Sequence, residues 1–358
     1  MIDDDRFLGC VLAGAVGDAL GAPVEFLTIE AIRHRFGPDG TTGYEEAYGG
    51  RGTITDDTQM TLFTLEGLIR GHRGEHDDRF VARNSRYSAP MQHAYQRWLH
   101  TQGMEPRWAD NGGVFATKPE PDGWLITNRG LFAMRAPGNT VTRALRAFSL
   151  GKPRGSFDNR LNDSKGCGAV MRAAPYALLG DDAFAFAVGN GLLTHGHPSG
   201  YLSAGALAHL VHLLLHDAPL PDAIAATRAE LLTWDGHDEQ VAALDAAVAH
   251  GRPTPESIAD QLGGGWTGEE ALAIAVAAAL AAADMRDGLL LAVNHSGDSD
   301  STGAICGNIL GAMQGTRAIP PEWLAELELR AVIEQVTRDA LAEFCEAPPD
   351  WGDRYPPT

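Results

Sequence analysis

Two short acidic clusters, far apart in the chain, carry the residue types from which a hard-cation site could be built. One is Asn294-His295-Ser296-Gly297-Asp298-Ser299-Asp300-Ser301-Thr302-Gly303, where two carboxylates one residue apart are flanked by hydroxyls and glycine. The other is Arg51-Gly52-Thr53-Ile54-Thr55-Asp56-Asp57-Thr58-Gln59-Met60. All-oxygen donor sets of this kind suit Mg²⁺, Mn²⁺ or Ca²⁺ rather than softer metals. Each cluster precedes a helix-compatible run, Ala304 to Met313 in one case and Met60, Phe63, Leu65 and Leu68 in the other. A helix start repels cations through its dipole, so a metal held there needs formal negative charge. Roughly five to seven oxygens drawn from both clusters could hold two cations.

Other readings of the clusters compete. Asp298 to Gly303 fits the opening of an EF-hand loop, but the position that should supply a bidentate Glu is Ile309. Leu289-Leu290-Leu291-Ala292-Val293 could be a strand feeding a nucleophilic Asp298, as in Asp-x-Asp phosphatases. That motif normally opens its domain, whereas Asp298 lies near the end of this one. Asp298, Ser296 and Thr55 could also be plain helix caps. Capping explains one such cluster readily and two less easily.

The elements that would position these groups read as helices. Phe7 to Leu20 has Gly9, Ala13, Gly17 and Gly21 at every fourth position, a stripe that lets another backbone pack close. Asp18 on this apolar helix is costly unless paired or hydrogen-bonded, so a structural role is expected for it. Glu25 follows a Gly/Pro helix stop, on a rigid edge suited to site residues. Residues 37–52 form a Gly-rich loop, and a helix runs on to about Arg70. A charged surface loop, Gly71 to Asp78, then leads to a helix over Arg79 to His100.

Trp108 to Gly138 is rich in loop formers, and Thr140 to Leu150 is again helical. The polar segment from Gly155 ends in Gly166-Cys167-Gly168, before an apolar helix to about Leu179. Glycines there would let backbone N–H groups approach a phosphate, although a tight turn is the commoner cause of such a pattern. Thr194-His195-Gly196-His197 precedes a helix to His216, and this His pair lacks a third soft ligand for zinc. His209, His212 and His216 share one face as a solvated or partly buried stripe. Short helices occupy 217–265, and longer ones Glu269 to Ala283, Met285 to Val293 and Pro321 to Phe344. One all-α domain over residues 1–346 is expected, with a loosely held Pro-rich tail at 347–358.

Bulk properties set limits. A net charge of −19 argues against nucleic acid or anionic membranes as main partners. The longest apolar run, Ala271 to Ala283, is too short to span a bilayer. The acidic start lacks a signal peptide's basic region. Cys10, Cys167, Cys306 and Cys345 form no CxxC and suit a reducing compartment. A cytoplasmic monomer is expected.

Taken together and in order, these pieces resemble the ADP-ribosylglycohydrolase family. The match runs from Gly17-Asp18-Ala19-Leu20-Gly21 with Glu25, through Thr55-Asp56-Asp57-Thr58, to Gly166-Cys167-Gly168-Ala169 with Met171-Arg172. Thr194-His195 with His197-Pro198-Ser199-Gly200-Tyr201 follows, and Gly297-Asp298-Ser299-Asp300-Ser301-Thr302 ends it. The resemblance implies a single compact all-α domain with a binuclear Mg²⁺ or Mn²⁺ centre. Thr55, Asp56, Asp57, Asp298, Asp300 and Ser301 match the family's metal ligands, and Glu25 matches a further acid there. Ser164, Gly166, Cys167, Gly168 and His195 match the loop that holds the ribose and diphosphate of ADP-ribose.

The motifs look most like those of the arginine-specific hydrolases, which release ADP-ribose from ADP-ribosylated protein. Serine-linked substrates, or a non-catalytic ADP-ribose-binding or structural relative, are the alternatives. Cleaving such a bond builds oxocarbenium charge at the ribose anomeric carbon. Asp56, Asp57 or Glu25 could take a proton from the attacking water. Retention and inversion are both open.

Overall fold

Alanine, leucine and glycine dominate the long apolar stretches, and those stretches fold as helices. The computed structural model describes residues 2–73, 88–104, 121–344 and 347–357. The chain begins with α1 (Asp4–Gly21), α2 (Ile29–Phe36), the two-residue strands β1 (Glu46–Ala47) and β2 (Gly50–Arg51), α3 (Asp56–Arg73) and α4 (Ser88–Thr101). It continues through α5 (Asn139–Ser149), α6 (Ala183–Gly191), α7 (Pro198–Leu215), α8 (Leu220–Leu231), α9 (Asp238–His250) and α10 (Pro255–Gln261). The last group is α11 (Gly268–Ala281), α12 (Met285–Val293), α13 (Ser299–Gln314), α14 (Pro321–Glu326) and α15 (Arg330–Glu343). The only sheet among the described residues is the antiparallel β1–β2 hairpin, so the all-α expectation stands.

The small-residue stripe does what its spacing predicts. α1 lies along α13 with their backbones in contact, because α13 carries Gly303, Gly307 and Gly311 opposite Gly17, Ala13 and Gly9. A Cβ on Gly307 would meet the Ala13 carbonyl oxygen at 2.0 Å, and one on Gly21 the Ser299 oxygen at 2.3 Å. Asn308 adds a side-chain bond to the Cys10 carbonyl oxygen at 2.9 Å. The two motifs at opposite ends of the chain are thereby brought together at one end of a helix pair.

Several expectations need correction. α3 buries not only Met60, Phe63, Leu65 and Leu68 but almost its whole circumference, because α4, α15 and the segment after Gly166 cover it. The run after Gly168 forms two 3₁₀ turns, Cys167–Arg172 and Ala174–Asp182, in place of an α-helix. Pro175 and the positive φ of 65° at Gly180 break the α pattern there.

The helix expected from Pro321 to Phe344 is split at Leu329, whose φ is 54°. Leu289 to Val293 lies in α12, so the phosphatase strand does not exist. The Pro-rich end is docked rather than loose. Tyr355 is buried and donates to Asp339 Oδ2 at 2.7 Å, and Trp351 Nε1 donates to Glu343 Oε2 at 2.7 Å. The expected loop after Arg73, the first turns of the following helix, part of Trp108 to Gly138, and Cys345 lie outside the described residues.

Candidate active site

Glu25, Asp56, Asp57, Asp298, Asp300 and Ser301 line one cleft of about 630 Å³, together with Gly166, Cys167, Gly168 and His195. Carboxylate oxygens of Glu25, Asp298 and Asp300 all lie within 4.8 Å of one another. Asp56 and Asp57 border the same space from the first turn of α3. All five carboxylates are buried or nearly so.

Among the described residues, no Lys or Arg pairs with any of the five. Burial first, and then repulsion from neighbouring carboxylates with Asp300 foremost, raises the proton affinity of Glu25, Asp57 and Asp298. Asp56 is raised by the same causes, with partial relief from the Gly138 N–H. Among the described residues, buried Glu25 Oε2 and Asp57 Oδ2 have no hydrogen-bond partner. A cluster of acids this dry and unpaired is expensive without positive charge, and hard cations fit it. Asp56, Asp57, Glu25, Asp298, Asp300 and Ser301 would be within reach of such ions.

Local chemistry explains each placement. Asp18, one turn before the end of α1, is fully buried and accepts from both the backbone N–H and the hydroxyl of Thr55 and of Thr58. The Thr55 hydroxyl, expected as a metal ligand, donates to Asp18 Oδ1 at 2.8 Å, and Thr55 stands behind the cleft wall. Asp18 is thus a structural acid that pins the start of α3.

Asp298 sits at the N-terminus of α13, yet its side chain makes no capping bond, which frees the carboxylate for the cleft. Ser296 does cap, but for another helix: its hydroxyl accepts the Ile29 N–H of α2 at 2.8 Å. The strap 264–268 ties both binding loops together. Asp298 N donates to Gly264 O at 2.9 Å, Cys167 N to Trp266 O at 3.2 Å, and Gly268 N to Lys165 O at 2.8 Å.

The glycine loop differs from a phosphate cradle. The Gly166 N–H bonds to Ser164 Oγ at 3.2 Å, and the Cys167 N–H is taken by Trp266. Gly168 is needed for packing, because a Cβ there would meet Val141 Cγ2 at 2.9 Å and His195 Cε1 at 3.1 Å. The Cys167 thiol turns to the acids and donates to Asp298 Oδ2 at 2.8 Å, and burial keeps it protonated.

His195 Nδ1 lies 2.8 Å from Thr194 Oγ1, and burial, with Arg172 nearby, lowers its pKa to about 3. His195 is therefore a neutral imidazole facing Gly166 and Gly168. His197 Nδ1 accepts the Ser199 N–H at the start of α7, so the two histidines do not form a zinc pair.

Sequence reasoning missed several contributors. Arg172, quoted only as part of a motif, is fully buried and donates to the Gly168 carbonyl oxygen and, at 2.8 Å, to Thr194 Oγ1. Thr140 meets Ser164 Oγ at 2.9 Å, and Asn139, Arg146, Phe26, Met134 and Trp266 are among the other lining residues. Trp266 directly after three glycines was the one visible signal. A second cavity of about 550 Å³ adjoins the cleft through Asn139 and Thr140 and is lined by Arg143, Lys152 and Arg160. It gathers cations in a chain of charge −19.

The ADP-ribosylglycohydrolase family model matches residues 2–350. The chain is 25% identical to the ADP-ribosyl-[dinitrogen reductase] glycohydrolase of Rhodospirillum rubrum, over 91% of this chain and 91% of that protein. It is 24% identical to the ADP-ribosylarginine hydrolase Tri1 of Pseudomonas putida, over 94% of this chain and 77% of that one. A solved ADP-ribosylglycohydrolase-related protein complex contains a chain 27% identical, with a TM-score of 0.66 and coverage of 95% of this chain and 97% of that one. With its paired acid motifs joined in one cleft and the match running nearly end to end, the chain belongs to the ADP-ribosylglycohydrolase family.

Proposed function

We propose that this glycohydrolase is a metal-dependent ADP-ribosyl hydrolase that cleaves the N-glycosidic bond between ADP-ribose and a protein arginine. The observation that carries the reading is the meeting of Glu25, Asp56 and Asp57 with Asp298 and Asp300 in one cleft, buried and, among the described residues, without a Lys or Arg paired to them. A pair of Mg²⁺ or Mn²⁺ ions there would supply Lewis acidity toward ribose hydroxyls and a bound water. The cleft volume of about 630 Å³ falls within the usual range of small-molecule sites.

Each residue has a defined task in this reading. Asp56, Asp57, Asp298 and Asp300, with the Ser301 hydroxyl, would hold the ions that face the ribose. Asp18 keeps the first turn of α3 in register with them. Glu25 is the least buried of the five acids and carries an oxygen without a partner among the described residues, so its position suits removal of a proton from the attacking water. Neutral His195 and Ser164 offer polar contacts without positive charge. The second cavity adjoins the cleft and is cationic, so it would suit the phosphate-bearing end of the nucleotide. The name of the Tri1 relative supports the arginine linkage.

The test incubates the purified chain with arginine-, serine- and nucleotide-linked ADP-ribose in EDTA, Mg²⁺ or Mn²⁺ and quantifies free ADP-ribose. Release from the arginine adduct only with metal is expected. Binding of ADP-ribose without turnover of any adduct would mark a non-catalytic relative and end the proposal.

A further inference from the structure

Two large aromatic side chains border the cleft while lying open to water. Phe26 is 65% exposed and Trp266 44% exposed, and their rings stack 5.4 Å apart at 25°. Burial does not account for either position. Phe26 has a φ of 67°, a left-handed conformation that a bulky residue adopts only under strain. Strain held at an exposed side chain points to use at a site rather than to packing.

Phe26 follows Glu25 directly, while Trp266 lies on the strap that bonds both the Asp298 loop and the Cys167 loop. A Cβ on Gly265 would stand 3.4 Å from Asp298 Cβ, which fixes how near the strap runs to the acids. The rings thus flank the acid cluster. Of the cations that could face phosphates, Arg143, Lys152 and Arg160 line the second cavity, which includes neither ring, and Arg146 lines the cleft itself.

We infer that the Phe26–Trp266 stack is the leaving-group wall of the cleft, a surface for the guanidinium of the modified arginine. The inference rests on the arginine-hydrolase reading and adds to it the residues that would select the linkage. A guanidinium is planar, weakly hydrated and always charged, so it stacks on aromatic faces and is further favoured beside carboxylates. A serine hydroxyl offers the wall nothing comparable.

The test pairs kinetics with a probe that needs no turnover. Phe26→Gly removes the ring and relieves the backbone, Trp266→Leu removes the indole, and Trp266→Phe retains an aromatic face. For ADP-ribosylarginine, the first two are expected to raise KM by several-fold to about tenfold, with kcat little changed. Inhibition by free ADP-ribose should stay as in the wild type, Trp266→Phe should restore KM, and Phe26→Gly should not lower the melting temperature.

In parallel, agmatine is titrated into the Mg²⁺- and ADP-ribose-loaded protein and followed by the indole N–H resonance that Trp266→Phe removes. A shift of that resonance supports the wall. ADP-ribose inhibition weakening in step with KM would make the stack an adenine platform and overturn it. Unchanged KM with no agmatine shift, or melting temperatures lowered by both ring deletions, would equally overturn it. A wild type that binds agmatine at Trp266 but leaves the arginine adduct intact would instead refute the proposed reaction and leave the wall standing.

Discussion

Gly17 and Gly303 meet backbone to backbone: a Cβ on Gly17 would stand 2.0 Å from the Gly303 carbonyl oxygen. This approach seats α1 on α13 and sets Asp18 and Glu25 beside Asp300. Backbone cannot swing aside as a side-chain tip can, so Gly17→Ala should force the helices apart. Overpacking of this kind costs about 1–3 kcal/mol or more. Chemical denaturation should read that loss, and calorimetry should show weakened Mn²⁺ binding in whatever folds.

Asp18 accepts from four donors at the start of α3, two backbone N–H groups and two threonine hydroxyls. Asp18→Asn turns an NH₂ group toward some of them and leaves buried donors unmatched, at about 1–3 kcal/mol each. Reduced stability is expected together with reduced metal affinity, although Asp18 is not among the cleft-lining residues. A stability loss with metal affinity unchanged would separate Asp18 from the site.

Asp300 is the common neighbour that raises the proton affinity of Glu25, Asp56, Asp57 and Asp298. Asp300→Asn removes one charge from this cluster and so should stabilise the metal-free fold toward heat. Metal affinity should fall by more than the roughly 10–100-fold seen when a residue supporting a ligand is lost. Isothermal titration and differential scanning calorimetry on one sample test both signs.

Protons and divalent ions should compete for the same oxygens. The Glu25 carboxyl is raised from 4.5 to about 11 and that of Asp18 from 3.8 to about 7, burial being the main cause in each. A carboxyl whose proton affinity is raised on folding stabilises the fold below its unfolded pKa. That contribution is lost as pH climbs through the folded value. The metal-free melting temperature should therefore decline from about pH 5 to about pH 8, and added Mg²⁺ should raise it more at the upper end. A metal-induced rise independent of pH would contradict this.

Cys167 donates its thiol to Asp298 Oδ2 at 2.8 Å and is kept protonated by burial. A thiol in that state is a poor nucleophile. Cys167→Ser retains a donor at the same place and should keep ADP-ribose release near the wild-type rate. Loss of turnover in Cys167→Ser with metal affinity intact would reopen a covalent route.

The sequence by itself determined which residues could do chemistry and the order in which they occur. Acid pairs after glycine loops, the four-residue stripe from Gly9 to Gly21, and the Ala/Leu helices were legible because each depends on neighbours a few positions away. Even the close helix contact could be anticipated, since small residues at helical spacing leave a groove for a second backbone.

Tertiary structure decided what each group faces. It turned the Thr55 hydroxyl to Asp18, the Cys167 thiol to Asp298 and the Cys167 N–H to Trp266. It docked Tyr355 on Asp339 and broke the last helices at Leu329. It also left Phe26 strained and stacked on Trp266, 240 positions away. Those outcomes depend on contacts between distant segments, where burial and unmet hydrogen bonds outweigh local preference, and no spacing along the chain records them.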